Sequence, residues 1–266
     1  MTCSVQIIAD SICNGHRLTT FQLQYWRAIH AEVLTHRANS RNAGSSRARP
    51  AKGMIEQVRT NPAGPIHWGL NRAGMQATEE LSSGEIEAAK ALWKEAANSA
   101  ANHAEILADM GLHKQVVNRV LEPFQYIDVV LSATDFSNWF ALRDHPDAQP
   151  EIQELARTMR KEYDSSIPRE LVLGDWHLPY ILEEELEKYP TTTLAMASSA
   201  RCARVSYKLF DGTVTNVEKD LGLFYKLAGN KPPHLSPLEH PAIALGEGKF
   251  GNFVGFKQLR QYIEQT

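Results

Sequence analysis

The fold of this chain is decided by the stretch Thr35–Arg47, which reads Thr-His-Arg-Ala-Asn-Ser-Arg-Asn-Ala-Gly-Ser-Ser-Arg. Guanidinium groups match the oxygens of a phosphate in pairs, hydroxyl groups donate to them, and Gly44 lets backbone amides come close. This composition suits a nucleotide phosphate. A solvated basic loop without a ligand has the same composition, and the spacing of the residues alone does not decide between the two.

Length and charge limit the classes of protein to which the chain can belong. Its 266 residues are 43% hydrophobic and 22% charged, enough for one compact globular unit with a substantial core. The formal net charge of -3 argues against a nucleic-acid-binding domain, which usually carries a basic excess over its whole surface. Any site for a polyanion must therefore be local.

The cysteines and the first residues indicate a reducing, cytoplasmic location. Cys3, Cys13 and Cys202 form no Cys-x-x-Cys pair, and their odd number disfavours a disulfide framework. No apolar run approaches the roughly 18 to 20 residues needed to span a bilayer. Residues 1–10 lack the basic and apolar regions of a signal peptide. We expect a cytoplasmic protein without a membrane partner.

A long amphipathic helix is predicted after Ser82. Ser82 and Glu85 have the spacing of a capping box, and apolar residues then recur at helical intervals through Leu107. Gly111 is the predicted end. The alanine-rich face of this helix would let another helix approach closely, either within the subunit or across an interface. A second helix is predicted over Lys114–Leu121.

The remaining predictions of local structure rest on shorter patterns. Phe21–Leu34 carries apolar residues every four positions, as one face of a helix would. The helical stretches Phe136–Leu142 and Ala148–Tyr163 are separated at Pro146. The strand candidates are Val5–Ala9, Cys202–Tyr207 and Phe253–Phe256, a flexible link is predicted over Gly246–Gly251, and an ordered loop over Pro62–Met75 is expected to cover a site or an interface.

A second polar segment, His234-Leu235-Ser236-Pro237-Leu238-Glu239-His240, lies far from the first along the chain. Together the two resemble the flavin-dependent thymidylate synthase family, whose signature is Arg-His-Arg followed, after two free positions, by Ser-x-Asn-x-x-Ser-x-Arg. Six of the seven fixed positions match, namely His36, Arg37, Ser40, Asn42, Ser45 and Arg47. Thr35 replaces the first arginine, Ala43 stands where the family commonly has glutamate, and Glu32 stands where it commonly has glutamine.

Other segments extend the resemblance over most of the chain. Asn118–Pro123 and Asn138–Ile152 are similar to family motifs that contain an arginine. Ala203–Tyr207 and His234–His240 are similar to segments that normally precede the arginine signature, whereas here they follow it, as in a circular permutation or a long form with a different order. The implied fold is α+β, a single compact domain over residues 1–266 with long helices packed on a small mixed sheet.

The resemblance implies roles for individual residues. It places the nucleotide at Glu32, Gly44, Ser45, Ser46, Arg47, Arg119 and Arg143. It places the flavin at His36, Arg37, Thr134, Asn138, Ser206, Ser236 and Glu239, and the folate or flavin near His234. Arg143 is the implied catalytic residue, because a guanidinium fixed beside N3 and O4 of a pyrimidine stabilises the negative charge that makes C5 nucleophilic.

The implied activity is the reductive methylation of dUMP to dTMP with FAD, NADPH and methylene-tetrahydrofolate, in a homotetramer with shared active sites. The family needs no activated cysteine, and we expect Cys202 to face the core. A metal site at His234 and His240 is disfavoured, because Asp and Cys partners at the usual ligand spacings are missing. A hydrogen-bonded structural role is the preferred interpretation of His240.

Three alternatives stay open at the level of the sequence. The same chemistry on dCMP is motivated by Ala43 and Glu32, since a carboxylate accepts a hydrogen bond from an exocyclic amine. A nucleic-acid-binding module would use the arginine-rich stretch to hold a phosphate backbone, with strongly salt-dependent affinity. A relative that binds flavin but has lost catalysis would carry its lesion at Thr35, and arginine at that position would restore turnover.

Overall fold

The computed structural model describes residues 3–205, 214 and 216–264, and their strands form two sheets. The strands are β1 (Cys3–Cys13), β2 (His16–Trp26), β3 (Ser40–Ala43), β4 (Tyr126–Ala133), β5 (Arg169–Glu170), β6 (Trp176–His177), β7 (Ala242–Phe250) and β8 (Phe253–Gln258). The larger sheet has the order β3-β4-β2-β1-β5, with β5 parallel to β1 and the other pairs antiparallel. The smaller sheet, β6-β7-β8, is antiparallel.

Helices pack on these sheets and on one another. They are α1 (His30–Leu34), α2 (Ala51–Thr60), α3 (Ser83–Asp109), α4 (Lys114–Val120), α5 (Ser137–Arg143), α6 (Pro150–Ser165), α7 (Glu183–Leu186), α8 (Thr191–Arg204), α9 (Val217–Gly229) and α10 (Arg260–Ile263). The fold class is therefore α+β with a small mixed sheet, as expected. Within the described ranges, no helix is long and apolar enough to cross a membrane.

The predicted helix over Phe21–Leu34 is wrong. β2 continues to Trp26, a 3₁₀ turn follows at Arg27–Ile29, and α1 covers only five residues. A spacing of four residues is also a multiple of the two-residue period of a strand, so Phe21 and Tyr25 lie on the same buried face of β2. The pattern alone did not distinguish the two structures.

The predicted long helix is confirmed as α3. Ser82 Oγ accepts a hydrogen bond from the Glu85 amide at 3.4 Å, and the Glu85 carboxylate accepts one from the Ser82 amide at 3.0 Å, so both halves of the capping box are present. The alanine face of α3 packs within the subunit, against α2 and α4. The predicted helix over Lys114–Leu121 is confirmed as α4.

Several shorter predictions are also confirmed. Val5–Ala9 lies inside the longer β1, and Phe253–Phe256 lies inside β8. Phe136–Leu142 corresponds to α5, and Ala148–Tyr163 corresponds to α6. Each boundary moves by a few residues, since patterns locate the ends of elements less well than their centres.

Two predictions near the end of the chain are wrong. Cys202 lies in α8, which continues to Arg204, and Tyr207 of that predicted strand lies outside the described residues. The predicted flexible link Gly246–Gly251 is part of β7 and of its turn to β8. Gly246 and Gly248 adopt positive φ where the register between the two strands shifts, and Gly251 does so in the turn, so these glycines shape a bulged hairpin rather than a linker.

A buried chain of polar side chains joins the two sheets. His177 in β6 contacts Ser11 Oγ in β1 at 2.9 Å and Thr20 Oγ1 in β2 at 2.8 Å. Thr20 in turn contacts Ser132 Oγ in β4 at 2.6 Å, and Ser132 contacts His240 Nδ1 at 2.8 Å. Both histidines are fully buried. The structural interpretation of His240 is thus confirmed, and its role is to attach the 3₁₀ segment Ser236–Glu239 to the larger sheet.

We predict that acid destabilises the fold through His177 and His240. Burial lowers the pKa of each imidazole to about 3, whereas an unfolded histidine titrates near pH 6.5. Between these values the unfolded chain binds protons that the folded chain does not. Stability present at neutral pH is therefore lost as the pH falls, at about 1.4 kcal/mol per pH unit for each histidine.

Urea unfolding between about pH 7.5 and pH 5 measures this slope. The variant His177→Gln should have a shallower slope, because one of the histidines with a lowered pKa is removed. His103→Gln, at an exposed position of α3, is the matched control and should keep the wild-type slope. An unchanged slope in the His177 variant would show that this histidine does not control acid stability.

Candidate functional site

The segment Thr35–Arg47 is an ordered edge of the larger sheet rather than an open loop. It leaves α1, turns, and then forms β3, in which Ser40 pairs with Ser132 and Asn42 pairs with Val130 of β4. His36, Asn39 and Ser40 are buried. The arginines of the segment stay accessible, since Arg37 and Arg47 are exposed and Arg41 is half-buried.

Side chains from the C-terminal part of the chain hold this segment in place. Asn252 Nδ2 donates to the Ala38 carbonyl at 2.8 Å, and Gln258 Nε2 donates to Ser40 Oγ at 2.9 Å. Ser236 Oγ donates to Asn42 Oδ1 at 3.3 Å. The sequence motif around Ser236 thus lies directly against the arginine-rich segment, although nearly two hundred residues separate the two.

A first cavity of about 480 Å³ lies between this segment, β8 and α10, and we call it the arginine cavity. Its lining includes Arg37, Asn39, Arg41, Glu239, Asn252, Gln258, Arg260, Gln261 and Glu264. The two carboxylates are both paired with Arg260. Arg37 forms no ion pair with any carboxylate among the described residues, so the cavity has unneutralised positive charge for an anionic ligand.

A second cavity of about 790 Å³, the loop cavity, lies beneath residues 62–80. Glu32, His67, Gly69, Met75, Arg143, Asp147 and Glu151 are among its lining residues. The loop is fastened to α6 by the Ile66 amide, which donates to Glu151 Oε1 at 2.9 Å. It is fastened to α3 by Trp93, whose Nε1 donates to the Ala63 carbonyl at 3.0 Å. The predicted loop Pro62–Met75 does cover a cavity.

A third cavity of about 210 Å³, the helix cavity, lies between α5 and the start of the arginine-rich segment. Its lining comprises Thr35, His36, Arg37, Ala38, Asn39, Asp135, Asn138, Trp139, Leu142 and Arg143. Two buried donors on this lining, Asn39 Nδ2 and Trp139 Nε1, have no hydrogen-bond partner among the described residues. A bound group with acceptor atoms would satisfy them.

Arg143 lines both the loop cavity and the helix cavity. It lies in the last turn of α5, where its Nε donates to His36 Nε2 at 2.8 Å and its Nη2 donates to Thr35 Oγ1 at 3.1 Å. Burial, followed by the charges of Arg143 and Arg41, lowers the pKa of His36. His36 is therefore held neutral, as an acceptor of the Arg143 hydrogen bond must be.

Glu32 lies on the wall of the loop cavity with Arg143. Its Oε2 atom is buried and has no hydrogen-bond partner within the described part of the chain. A buried carboxylate oxygen without a partner is costly, so a ligand that presents a hydrogen-bond donor is favoured at this position.

The residues predicted to bind the phosphate lie elsewhere, around the turn after β3. Ser45 and Arg47 are exposed there, whereas Ser46 is buried and donates to Glu122 Oε1 at 3.1 Å. Arg119 also donates to Glu122 Oε1, at 2.6 Å. Gly44 lies beside Arg49, and its amide donates to the Asp128 carbonyl at 2.8 Å. None of these residues lines the three cavities above.

Some of the residues predicted to bind the flavin line the helix cavity or the arginine cavity, and others lie outside both cavities. His36, Arg37 and Asn138 line the helix cavity, and Glu239 lines the arginine cavity with Arg37. Thr134 Oγ1 accepts a hydrogen bond from the Val254 amide at 3.1 Å, which joins β4 to β8.

The sequence also predicted ligand-binding roles for His234 and Ser206 and a place in the core for Cys202. His234 is exposed, and Ser206 lies outside the described residues. Cys202 is fully buried, and burial raises the pKa of its thiol, as expected of a core residue. Among the described residues, no three His, Cys, Asp or Glu side chains gather in a group that could hold a metal ion.

The structure also shows site residues that the sequence patterns did not single out. Asn118 is completely buried, and its Nδ2 donates to the carbonyls of Ser46 at 2.7 Å and Arg49 at 3.1 Å, which fixes the turn after β3. Asn252 and Gln258 hold Ser40 from the other side. Their only signal in the sequence was their proximity to recognised motifs, since a lone amide has no characteristic spacing.

Comparisons with known proteins show the family to which the chain belongs. A family model described as thymidylate synthase complementing protein matches residues 15–169. Among solved structures, the fold is similar to the UMP/dUMP methylase PolB from Streptomyces cacaoi bound with 5-Br UMP, at a TM-score of 0.51 and 16% identity over 60% of this chain and 88% of that one. Thymidylate synthase X from Helicobacter pylori with FAD and dUMP gives a TM-score of 0.39 and 15% identity over 55% of this chain and 67% of that one. No curated protein matches the sequence.

Family and fold together define the class of this protein, a flavin-dependent methyltransferase that acts on C5 of a pyrimidine nucleotide. Because the family model spans more than half of the 266 residues, the chain belongs to the flavin-dependent thymidylate synthase family. The resemblance carried by the arginine-rich segment is thereby confirmed.

We predict that Asn118→Ala destabilises the turn that carries Ser45 and Arg47. The substitution leaves the carbonyls of Ser46 and Arg49 without their buried donor, so the free energy of unfolding should fall by about 1 to 3 kcal/mol. Urea denaturation measures this change. Asn71→Ala, at an exposed position of the loop, should be neutral, and equal stability of the two variants would contradict the assigned role of Asn118.

Proposed function

We propose that this protein converts dUMP to dTMP by reductive methylation, with FAD as cofactor and NADPH and methylene-tetrahydrofolate as co-substrates. The observation that carries the proposal is the position of Arg143. Its guanidinium is held by His36 and Thr35 and opens onto both the loop cavity and the helix cavity. A nucleotide base in the larger cavity and a flavin in the smaller one would therefore meet at a fixed positive charge.

A fixed cation answers the main chemical requirement of the reaction. C5 of a pyrimidine becomes nucleophilic when negative charge developing on N3 and O4 is stabilised, and a preorganised guanidinium does this without reorganising at the moment of reaction. Covalent activation by a cysteine is a different route, which needs an accessible thiolate. The fully buried Cys202 does not suit that route, since burial raises the pKa of its thiol.

The chain has suitable groups for FAD. Arg37 provides an unneutralised guanidinium in the arginine cavity, and Asn39 and Trp139 provide buried donors without partners among the described residues. A diphosphate and a flavin ring carry acceptors that match these donors. We propose that His36, Arg37, Thr134, Asn138, Ser206, Ser236 and Glu239 hold the cofactor. When bound, FAD would supply the redox chemistry that completes the methyl group.

We propose that Glu32, Gly44, Ser45, Ser46, Arg47, Arg119 and Arg143 bind the nucleotide, with His234 near the folate or flavin. The fold-related methylase PolB acts on UMP and dUMP, which supports a pyrimidine monophosphate as substrate. In this chain the base-facing and phosphate-facing groups lie on separate surfaces. A homotetramer in which neighbouring subunits complete each site would unite them.

Exposed apolar side chains support such an assembly. Leu92, Ile106 and Met110 on or just after α3, and Val116 on α4, are all exposed. Large exposed apolar surfaces are typical of interaction sites. We further propose that residues 1–266 form one domain with a permuted motif order. The contact between Ser236 and Asn42 supports this arrangement, because it brings the displaced motif to the segment that it normally precedes.

The first experiment is mass spectrometry of the products after anaerobic incubation with FAD, NADPH, methylene-tetrahydrofolate and equal amounts of dUMP and dCMP. Product dTMP is expected. The variant Arg143→Ala should lose roughly 100-fold to 1000-fold in kcat, the usual cost of removing a preorganised charge-stabilising donor, while it retains bound flavin.

Arg59→Ala is the matched control, because Arg59 pairs with Glu105 on the surface of α2 and α3, away from the cavities. It should keep full activity. Near-normal turnover of the Arg143 variant, or absence of any methylated product from the wild-type protein with all components present, would refute the proposal.

The second candidate function is the same reaction on dCMP, and the unpartnered Oε2 of Glu32 is the observation that suggests it. A carboxylate accepts a hydrogen bond from the exocyclic amine of cytosine, whereas at that position uracil carries an acceptor oxygen. It also accepts from N3–H of uracil, so the Glu32 geometry is compatible with both bases. Formation of 5-methyl-dCMP in the competition experiment would select this candidate.

We predict that Glu32→Gln changes base preference toward uracil. The amide is a weaker acceptor for the cytosine amine, and it donates to a uracil oxygen, so the ratio of kcat/KM for dUMP over dCMP should rise roughly tenfold or more. Glu56→Gln, on the exposed side of α2, should leave the ratio unchanged. A constant ratio in the Glu32 variant would mean that this residue does not contact the base.

A further inference from the structure

We propose that Thr35 is a positioning residue, whose hydroxyl holds the Arg143 guanidinium in the orientation used for catalysis. The family signature has arginine at this position, so the threonine is a particular property of this chain. The catalytic part of the inference rests on the proposed function, whereas the positioning itself concerns the geometry of the free protein.

The hydroxyl of Thr35 has a fixed direction. It donates its one proton to the Glu32 carbonyl at 2.6 Å, at the end of α1. Its lone pairs are then available as acceptors, and Arg143 Nη2 donates to them at 3.1 Å. Thr35 thus connects the end of α1 to the end of α5. The position of the Arg143 guanidinium is therefore fixed by the ends of these two helices.

His36 is the second anchor and contacts a different nitrogen of the same guanidinium. Arg143 Nε donates to His36 Nε2 at 2.8 Å, and the His36 ring packs edge to face against Trp139. Two anchors on one planar group fix its rotation as well as its position. Of the five N–H groups of a guanidinium, two are used in this way, and the other three have no partner within the described residues and are free for a ligand.

Arginine at position 35 would not serve this arrangement. A guanidinium has donors only, so it accepts nothing from Arg143. It would also bring a second positive charge within contact distance of the first, and like charges at that separation repel. The threonine is therefore a working alternative to the family arginine. This conclusion opposes the alternative in which Thr35 is a lesion that arginine would repair.

The test compares three substitutions of Thr35 in the whole protein. Thr35→Val keeps the shape of the side chain without its hydroxyl, and we expect kcat to fall roughly tenfold or more, as for a lost hydrogen bond to a charged group. The KM for the nucleotide and the flavin content should change little. Thr35→Ser, which restores the hydroxyl, should return kcat to within about twofold of the wild-type value. Thr35→Arg should be at least as impaired as Thr35→Val.

Thr60→Val is the matched control. Thr60 is also exposed and also donates to a carbonyl near a helix end, that of Glu56 at 2.8 Å, but among the described residues its hydroxyl accepts no hydrogen bond from an arginine side chain. Its kcat should equal that of the wild-type protein, and thermal melts would verify that all variants are folded. Wild-type kcat in Thr35→Val, or activity of Thr35→Arg equal to or above the wild-type value, would overturn the proposal.

A second readout needs neither cofactor nor substrate. Burial is the main cause of the lowered pKa of His36, and the charges of Arg143 and Arg41 add to it, so loosening the Arg143 guanidinium should move that pKa upward, toward the ordinary value. NMR titration of His36 should show this rise in Thr35→Val and not in Thr35→Ser. If the wild-type protein fails to methylate while this rise occurs, the proposed function fails and the positioning stands. If the protein methylates and the rise is absent, the positioning is wrong.

Discussion

The pairing of β3 with β4 is the constraint on which the rest of the site depends. β3 is only four residues long and lies at an edge of the larger sheet, so its own ladder is short. Ser40 and Asn42 extend this ladder sideways through side-chain bonds to Gln258, Ser236 and the carbonyl of Cys202. Buried polar groups that are fully partnered define a unique arrangement. The residues on both sides of β3 take their positions from this short strand.

Elements with local signals were predictable, and elements determined by distant contacts were not. α3 carries its own start signal in Ser82 and Glu85, which operates within one turn of helix. Phe21–Leu34 had no such signal, and its four-residue spacing fits a strand as well as a helix; burial against α5 and α6 decided for the strand. The glycines of Gly246–Gly251 were assigned to a linker, because sequence alone does not show that a partner strand is present.

In the candidate site, too, some residues were predictable from the sequence and their contacts were not. The resemblance to the family singled out Arg37, Arg47 and Arg143 as candidates, and guanidinium groups are typical of nucleotide and phosphate recognition. The partners of these groups could not be predicted, since Arg143 meets Thr35 across 108 positions of sequence. Glu122, which gathers Ser46 and Arg119, carries no motif of its own. Which cation is neutralised and which is free therefore depends on the tertiary structure.

The hydrogen bonds from Asn252 and Gln258 to Ser40 determine when this part of the site is assembled. These bonds span 212 and 218 residues, so the arginine-rich segment leaves the ribosome long before the residues that fasten it. Pairings of such high sequence separation form late in folding. Until the C-terminal strand β8 has been made and docked, the segment lacks the hydrogen bonds that fasten Ser40. The order of motifs along the chain thus makes the completion of this part of the site depend on the last strand to be synthesised.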